Sequence, residues 1–290
     1  MTKMTIKNNR FTVSWITSLV IFVIVNFWAL SAHAQVTLVT EGKASAVVVI
    51  AEKPTETATY AAKELVKHIK LATGVVLDII PESKTQEDMH TRIYVGETET
   101  ALRQGIDVNR LPREAFVMRS VGNDLFILGK EDNGNPMDEG NPNVGTLFGI
   151  YDFLEEYLGV RWLWPGDLGT YVPQTNTIKI SSINRLEAPS LLFRTMRWHI
   201  IGRVARGGKL ADEDSRFGFS PEIAQSYGKE VGILFRRNRM GGMDAKPPSG
   251  HTAIGWWNKY SKEHPEWFAM CSDGTRGNPR PDREIQQVPL

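Results

Sequence analysis

The 290-residue chain carries a formal net charge of +1, with 41% hydrophobic and 23% charged residues. This balance is typical of a globular protein with one large or two modest domains, and it excludes a largely disordered chain, a collagen-like chain and a multi-span membrane protein. The near-zero charge gives no electrostatic reason to expect a nucleic acid as partner.

The N-terminus predicts a secretory signal peptide over residues 1–34. Three basic residues precede an apolar run at 11–30, and Ala32-His33-Ala34 supplies small residues at the two positions that a signal peptidase inspects. We therefore expect an exported protein, periplasmic or extracellular. The alternative is an uncleaved membrane anchor, because the run is nearly long enough to span a bilayer. A membrane is expected as a partner only in that case.

The chain then alternates strand and helix signals. Apolar residues recur at helical spacing in TETATYAAKELVKHIKLATG (55–74), while Glu64 and three lysines are placed on the opposite, exposed side. Gly74 is a natural stop for this helix. Strands are predicted at 46–50, 75–80, 92–96, 115–121 and 124–129, and Gly122-Asn123 joins the last two as a hairpin turn.

A second helix is predicted by the apolar face of residues 147–158, and Gly159 ends it in the left-handed conformation. Residues 160–164 are then expected to re-enter the sheet before a Pro165-Gly166 turn. Together these elements predict a mixed sheet packed against two long helices, which form an α+β domain over residues 36–185.

Trp162 and Trp164 lie two residues apart in this stretch, a spacing that places them on the same side of a strand. Packing at a domain seam is the interpretation that we favour. The alternative is a platform on which a sugar stacks, because flat aromatic faces suit the apolar side of a pyranose.

The character of the sequence changes after a linker at 187–191. A strand is predicted at 191–199, a helix at 220–239, a short helix within 256–264 and a strand at 266–270. Ser220 is the expected N-cap of the longer helix, whose arginines near the C-terminal end suit the helix dipole. Strand, long loop and helix in succession are typical of a (β/α) barrel. The predicted fold class is therefore α/β, with the first units of an incomplete (β/α)8 barrel over residues 190–290.

Three segments resemble known carbohydrate-active enzymes. YAAKELVKHIKLATGVVLDII (60–80) and GTLFGIYDFLEEYLGVRWLWPGDLGTYVP (145–173) resemble two signatures of the small α/β domain that precedes the catalytic barrel in α-glucuronidases and β-hexosaminidases, also called hexosaminidase domain 2-like. GHTAIGWWNKYSKEHPEWFAM (250–270) resembles the start of a bacterial region of unknown function that follows this domain.

This resemblance implies an exported glycoside hydrolase that acts on an oligo- or polysaccharide. The reaction needs carboxyl groups held across the scissile bond, at the C-terminal ends of barrel strands. A complete barrel takes about 250 residues, far more than follow residue 190. We therefore expect the chain to be a fragment, inactive alone, whose catalytic acids lie beyond Leu290. The alternative is a non-catalytic glycan-binding or surface scaffold protein.

The residues predicted to contact the carbohydrate lie in this C-terminal part. Arg197, Trp198 and His199 end the predicted first barrel strand, where an arginine can pair with a uronate carboxylate through two parallel hydrogen bonds. His251 lies in a predicted loop, and Trp256 begins the short helix. No nucleotide-binding, metalloprotease or zinc spacing is found in the sequence, so no cofactor or metal is expected.

Overall fold

The computed structural model describes residues 35–86, 91–138, 143–196, 220–242 and 256–268, together with Met270, Gly274 and Arg276. The chain divides into two compact units, residues 1–243 and residues 244–290. The predicted signal segment and Arg197, Trp198, His199 and His251 lie outside the described residues. Among the helices that are described, none has both the length and the apolar character needed to cross a bilayer.

The described part of the first unit is built from short strands and helices. Its strands are β1 (Val36–Thr40), β2 (Lys43–Ala44), β3 (Val47–Ile50), β4 (Ile79–Pro81), β5 (Arg92–Val95), β6 (Phe116–Val121), β7 (Asp124–Gly129), β8 (Arg161–Trp162), β9 (Thr170–Tyr171), β10 (Ile178–Ile180) and β11 (Asn184–Glu187). Its helices are α1 (Glu56–Thr73), α2 (Glu99–Arg103), α3 (Gly145–Leu158) and α4 (Pro221–Arg237).

A six-stranded mixed sheet forms the centre of this unit, in the order β11-β6-β7-β5-β3-β4. Strands β4, β3, β5 and β7 are parallel, whereas β6 and β11 are antiparallel to their neighbours. The β6–β7 hairpin turns at Gly122, whose φ of 59° is open to glycine and strained for most residues. The structure thus confirms the α/β class and the predicted hairpin.

Both long helices end where the sequence predicts, and α3 begins at Gly145, two residues before the predicted apolar face. The Thr55 hydroxyl accepts a hydrogen bond from the Ala58 N–H at 2.9 Å and so caps α1. Gly74 (φ 77°) and Gly159 (φ 71°) terminate α1 and α3 in the left-handed conformation. On α4, Ser220 is the N-cap, which confirms that prediction too.

Helices α1 and α3 pack side by side on one face of the sheet and bury the larger core. A smaller core on the other face lies beneath α2 and the 3-10 turn Val108–Arg110. Its buried members come from the sheet and from this covering segment: Val49, Tyr94, Ala101, Ile106, Val108, Val117, Phe126 and Leu128. The parallel strands are therefore covered on both faces, as parallel sheets require.

Several predicted strands are shorter or absent. Residues 160–164 do not re-enter the main sheet, because only β8 forms and it pairs with β9 in a separate hairpin. Trp162 is buried while Trp164 lies in the following turn, 55% exposed, so the two rings do not share a side. The strand predicted at 75–80 forms only as β4, which ends at Pro81.

The strand predicted at 191–199 is wrong for its described part, where Arg194 makes one isolated bridge with Gly241. At 266–270 the described residues form the 3-10 turn Pro265–Trp267 and a single bridge from Met270 to Arg276. Proline at the first position of a helical turn favours this outcome, because its φ is preset and its missing N–H is not needed. The second unit also contains α5 (Trp256–Tyr260).

Gly129 marks a point where backbones cross too closely for a side chain. A Cβ there would lie 2.4 Å from the Ala115 carbonyl oxygen and 2.6 Å from the Gly145 carbonyl carbon. We expect Gly129→Ala to lower the free energy of unfolding by about 1–3 kcal/mol, because backbone must move. The matched control is Gly232→Ala within α4, where a Cβ meets nothing within 4 Å. It should raise stability by about 1 kcal/mol through helix propensity. Urea denaturation measures the stability of both variants. Equal effects of the two substitutions would contradict the close backbone approach at Gly129.

Candidate functional site

Of the residues predicted to contact the carbohydrate, the structure describes Trp256, at the start of α5. Its side chain is 49% exposed. Tyr260 lies one helical turn further on, and the two rings meet edge to face with centroids 6.1 Å apart. The spacing of four residues places both side chains on one face of the helix.

A turn after α5 brings two more rings to Tyr260. The His264 N–H donates to the Tyr260 carbonyl at 2.8 Å, and the 3-10 turn that follows carries Trp267. The Trp267 ring lies 5.5 Å from Tyr260 and stacks on His264 at 4.0 Å with the planes 3° apart. We call Trp256, Tyr260, His264 and Trp267 the aromatic cluster.

Trp256 and Trp267 of the aromatic cluster are exposed to solvent, whereas Trp257, next to Trp256 in the chain, points elsewhere. Trp267 is 56% exposed. Trp257 instead packs edge to face against Phe268, with centroids 5.0 Å apart. Adjacent residues on a helix point in different directions, so α5 presents one tryptophan and uses the other to pack the unit.

Charged and polar groups border the aromatic cluster. His264 Nδ1 lies 3.1 Å from Glu266 Oε1. Hydrogen bonds from its own backbone N–H and from His264 lower the pKa of Glu266. The Lys259 ammonium lies 5.1 Å from the centre of the Tyr260 ring. Exposed indole faces with hydrogen-bonding groups beside them can take the apolar face of a sugar ring and bind its hydroxyls.

The first unit contains a buried polar cluster that the sequence did not predict. It consists of Glu64 and His68 of α1, Tyr151 of α3, Trp162 of β8 and Arg237 of α4. The expectation that Glu64 lies on the exposed side of its helix is wrong, since the residue is 6% exposed. Glu64 is spaced three and four residues from the buried Ala61 and His68, which is the signal that could have placed it inside.

Another carboxyl, that of the partly buried Glu131, follows β7 at the carboxyl edge of the parallel strands, and its Oε1 atom is enclosed. It accepts a short hydrogen bond from the Thr55 hydroxyl, at the N-terminus of α1. Burial raises the pKa of this carboxyl, and hydrogen bonds from Thr146 and Thr55 oppose the rise. This edge is where open α/β sheets commonly bind ligands. Here Glu131 itself occupies the space before the helix.

Across the described ranges there is no group of three or more His, Cys, Asp or Glu side chains arranged to hold a metal ion. The aromatic cluster and the buried polar cluster are thus the two groupings of chemistry-bearing side chains that stand out in these ranges. The first faces solvent and can meet a ligand. The second is closed off within the protein.

Comparison with known proteins gives matches among solved structures alone. No family model matches the sequence, and no curated protein matches it. Among solved structures, the family GH115 4-O-methyl-α-glucuronidase BtGH115A, with specificity for decorated arabinogalactans, is similar at 16% identity and a TM-score of 0.41, over 68% of this chain and 29% of that one. The chitobiase FjGH20 of Flavobacterium johnsoniae is similar at 12% identity and a TM-score of 0.31, over 60% of this chain and 23% of that one.

The chain therefore spans less than a third of the length of either structure. At TM-scores below 0.5, these likenesses carry no argument about what the chain does.

Glu131 makes a prediction about pH possible. Its folded-state pKa is raised above the ordinary 4.5, so the favourable contribution of its protonated form is present below that value and is lost as the pH rises through the folded pKa. Glu131→Gln removes this dependence. We expect the stability of the variant relative to the natural protein to increase between about pH 4 and about pH 7.

Urea denaturation across this pH range measures the effect. Glu263→Gln is the control, because it makes the same substitution at an exposed position. It should leave the shape of the stability curve unchanged. A stability difference between Glu131→Gln and the natural protein that does not vary with pH would contradict the prediction.

Proposed function

We propose that this chain is part of an exported carbohydrate-active protein and that the aromatic cluster contacts the carbohydrate. The whole protein is then a glycoside hydrolase, which cleaves O-glycosidic bonds by carboxylate acid–base chemistry without a cofactor. Within the chain, residues 36–185 correspond to the small α/β domain that the sequence resemblance implies.

The observation that carries the proposal is the exposure of two indole rings in one short segment. Trp256 and Trp267 are 49% and 56% exposed, although tryptophan is among the side chains with most to gain from burial. His264 stacked on Trp267, and the ring of Tyr260 between the two tryptophans, hold this surface in place. Such a preformed aromatic face lowers the entropy cost of binding a flexible sugar.

The sequence resemblance supports the same conclusion independently. The 250–270 segment that supplies the aromatic cluster is the one that resembles the region following the small domain in secreted bacterial proteins. The signal segment supports export, where polysaccharides are met. Partners such as nucleic acids have no comparable support in the charge of the chain.

A non-catalytic glycan-binding or scaffold protein is the second candidate. The location of the aromatic cluster favours it, because an exposed patch with the polar groups at its border suits attachment to a sugar chain without bond cleavage. The two candidates predict the same binding and differ in turnover. Hydrolysis of aryl glucuronides or aryl N-acetylhexosaminides by the whole protein would support the hydrolase, and binding without turnover would support the scaffold.

Substitution in the aromatic cluster tests the binding site. We expect Trp267→Ala to weaken binding of the chain to uronic-acid- or N-acetylhexosamine-containing oligosaccharides by about fivefold, because stacking on an aromatic ring adds on the order of 1 kcal/mol. Trp267→Phe should retain most of the affinity, since it keeps an aromatic face. Isothermal titration calorimetry across a panel of these oligosaccharides measures the effect.

Trp164→Ala is the matched control, because Trp164 is exposed to nearly the same extent as Trp267, at 55%, but lies in the first unit. It should bind like the natural chain. Equal losses in the Trp267 and Trp164 variants would remove the aromatic cluster as the binding site. The absence of binding to every oligosaccharide in the panel would contradict the proposed function itself.

A further inference from the structure

His68 has both ring nitrogens engaged inside the first unit. Its side chain has no exposure to solvent. Nδ1 lies 2.8 Å from the Glu64 carbonyl oxygen, and Nε2 lies 3.2 Å from Trp162 Nε1. Because the indole nitrogen can only donate, Nε2 must accept, and the proton is on Nδ1. The imidazole is therefore held neutral, in one tautomer.

Arg237 attaches α4 to the same place. Its Nε and Nη2 donate to Glu64 Oε2 at 3.3 and 3.0 Å, and its guanidinium lies 5.7 Å from the centre of the Trp162 ring. The Tyr151 hydroxyl donates to the same carboxylate oxygen at 3.2 Å. Glu64 is thus the one carboxylate of the buried polar cluster, and it pairs with a cation from another helix.

Glu64 and His68 are four residues apart on α1, the spacing at which helical side chains interact. A protonated His68 would offer the Glu64 carboxylate a second cation, on its own helix. It would also place a positive charge near Arg237 and abolish the acceptor for the Trp162 N–H. The first two effects act against the contact between Arg237 and Glu64, and the third removes a hydrogen bond that holds the Trp162 ring over the guanidinium.

We propose that the buried polar cluster is an acid-sensitive latch, in which protonation of His68 weakens the hold of Glu64 on Arg237 and loosens the C-terminal half of α4 from α1 and α3. The rest of the unit stays folded, because its two cores lie mainly between the sheet and its covering helices. From α4, the larger of these cores receives Leu234.

The surroundings of His68 favour its neutral form, as the proposed loss of stability on protonation requires. Burial is the largest cause that lowers the pKa of His68, Arg237 and Lys67 lower it further, and Glu64 opposes them. The ionisable groups that face the cluster from each packed element are Tyr60, Glu64 and Lys67 on α1, Tyr151 on α3, and Glu230 and Arg237 on α4. Since the folded pKa lies below the ordinary 6.5, stability is lost as the pH falls below that value and on through the folded pKa.

Hydrogen exchange of the full chain tests the proposal. Protection factors, corrected for the intrinsic exchange rate at each pH, are compared between residues 231–237 of α4 and strands β6 and β7. Below about pH 6.5, we expect protection in this part of α4 to fall by up to about tenfold per pH unit, as one linked proton allows, while β6 and β7 keep theirs. Loss of protection in helix and strands together, or no pH-dependent loss in α4, would overturn the proposal.

Two variants assign the effect. His68→Gln keeps a donor and an acceptor but cannot take up the proton, so the pH dependence in α4 should disappear. Lys63→Gln, exposed on the same helix, should keep the pH dependence of the natural chain. A His68→Gln profile identical to that of the natural chain would assign the effect to another group and overturn the role of His68. If His68→Gln does not fold, the comparison of α4 with β6 and β7 in the natural chain still tests the local opening, and an NMR titration of the His68 ring tests whether its protonation accompanies it; opening without protonation of His68 would overturn the role of His68.

Discussion

The buried ion pair between Glu64 and Arg237 is the interaction on which the position of α4 within the first unit depends. Both side chains are 7% exposed, and the nitrogen and oxygen lie 3.0 Å apart. Removing two charges from water costs several kcal/mol, and close attraction offsets this only when further hydrogen bonds satisfy the groups. Tyr151 supplies one such bond, and the Trp162 ring covers the guanidinium.

This pair explains why α4 belongs with the first unit although a linker was expected at 187–191. Among the α4 side chains whose burial the structure describes, the buried apolar ones are Val231, Leu234 and Phe235. A helix with so narrow an apolar stripe would dock weakly through hydrophobic contact alone. Arg237 adds a contact that fixes the position of α4. Its buried guanidinium needs a carboxylate partner, and Glu64 of α1 supplies that partner.

The sequence predicts those features of the fold that follow from local rules. The apolar spacing of α1 and α3 and their glycine stops depend on geometry within each helix, and the structure confirms both. The position of Glu64 could not be read in the same way. A glutamate beside lysines has the composition of a solvated face, and only a partner 173 residues away in the chain makes its burial possible.

The same limit applies to residues 160–164 and to the candidate site. The alternation of apolar residues there predicts a sheet strand, yet the main sheet ends at β11 on one side and β4 on the other. In the second unit, the sequence singles out Trp256 at a helix start. It does not single out Trp267, because the segment predicts a strand and the stacking of Trp267 on His264 arises from the turn at Pro265.

The two tryptophans of the GVRWLWPG stretch show how such a signature separates fold from function. Trp162 is inside, donating to His68 and covering Arg237, while Trp164 is outside in the turn. The motif that most resembles a carbohydrate-active family is thus needed in part to build the small domain. A resemblance that rests on packing residues bears on the fold, and a role in binding must be argued from the aromatic cluster, whose two tryptophan rings remain exposed to solvent.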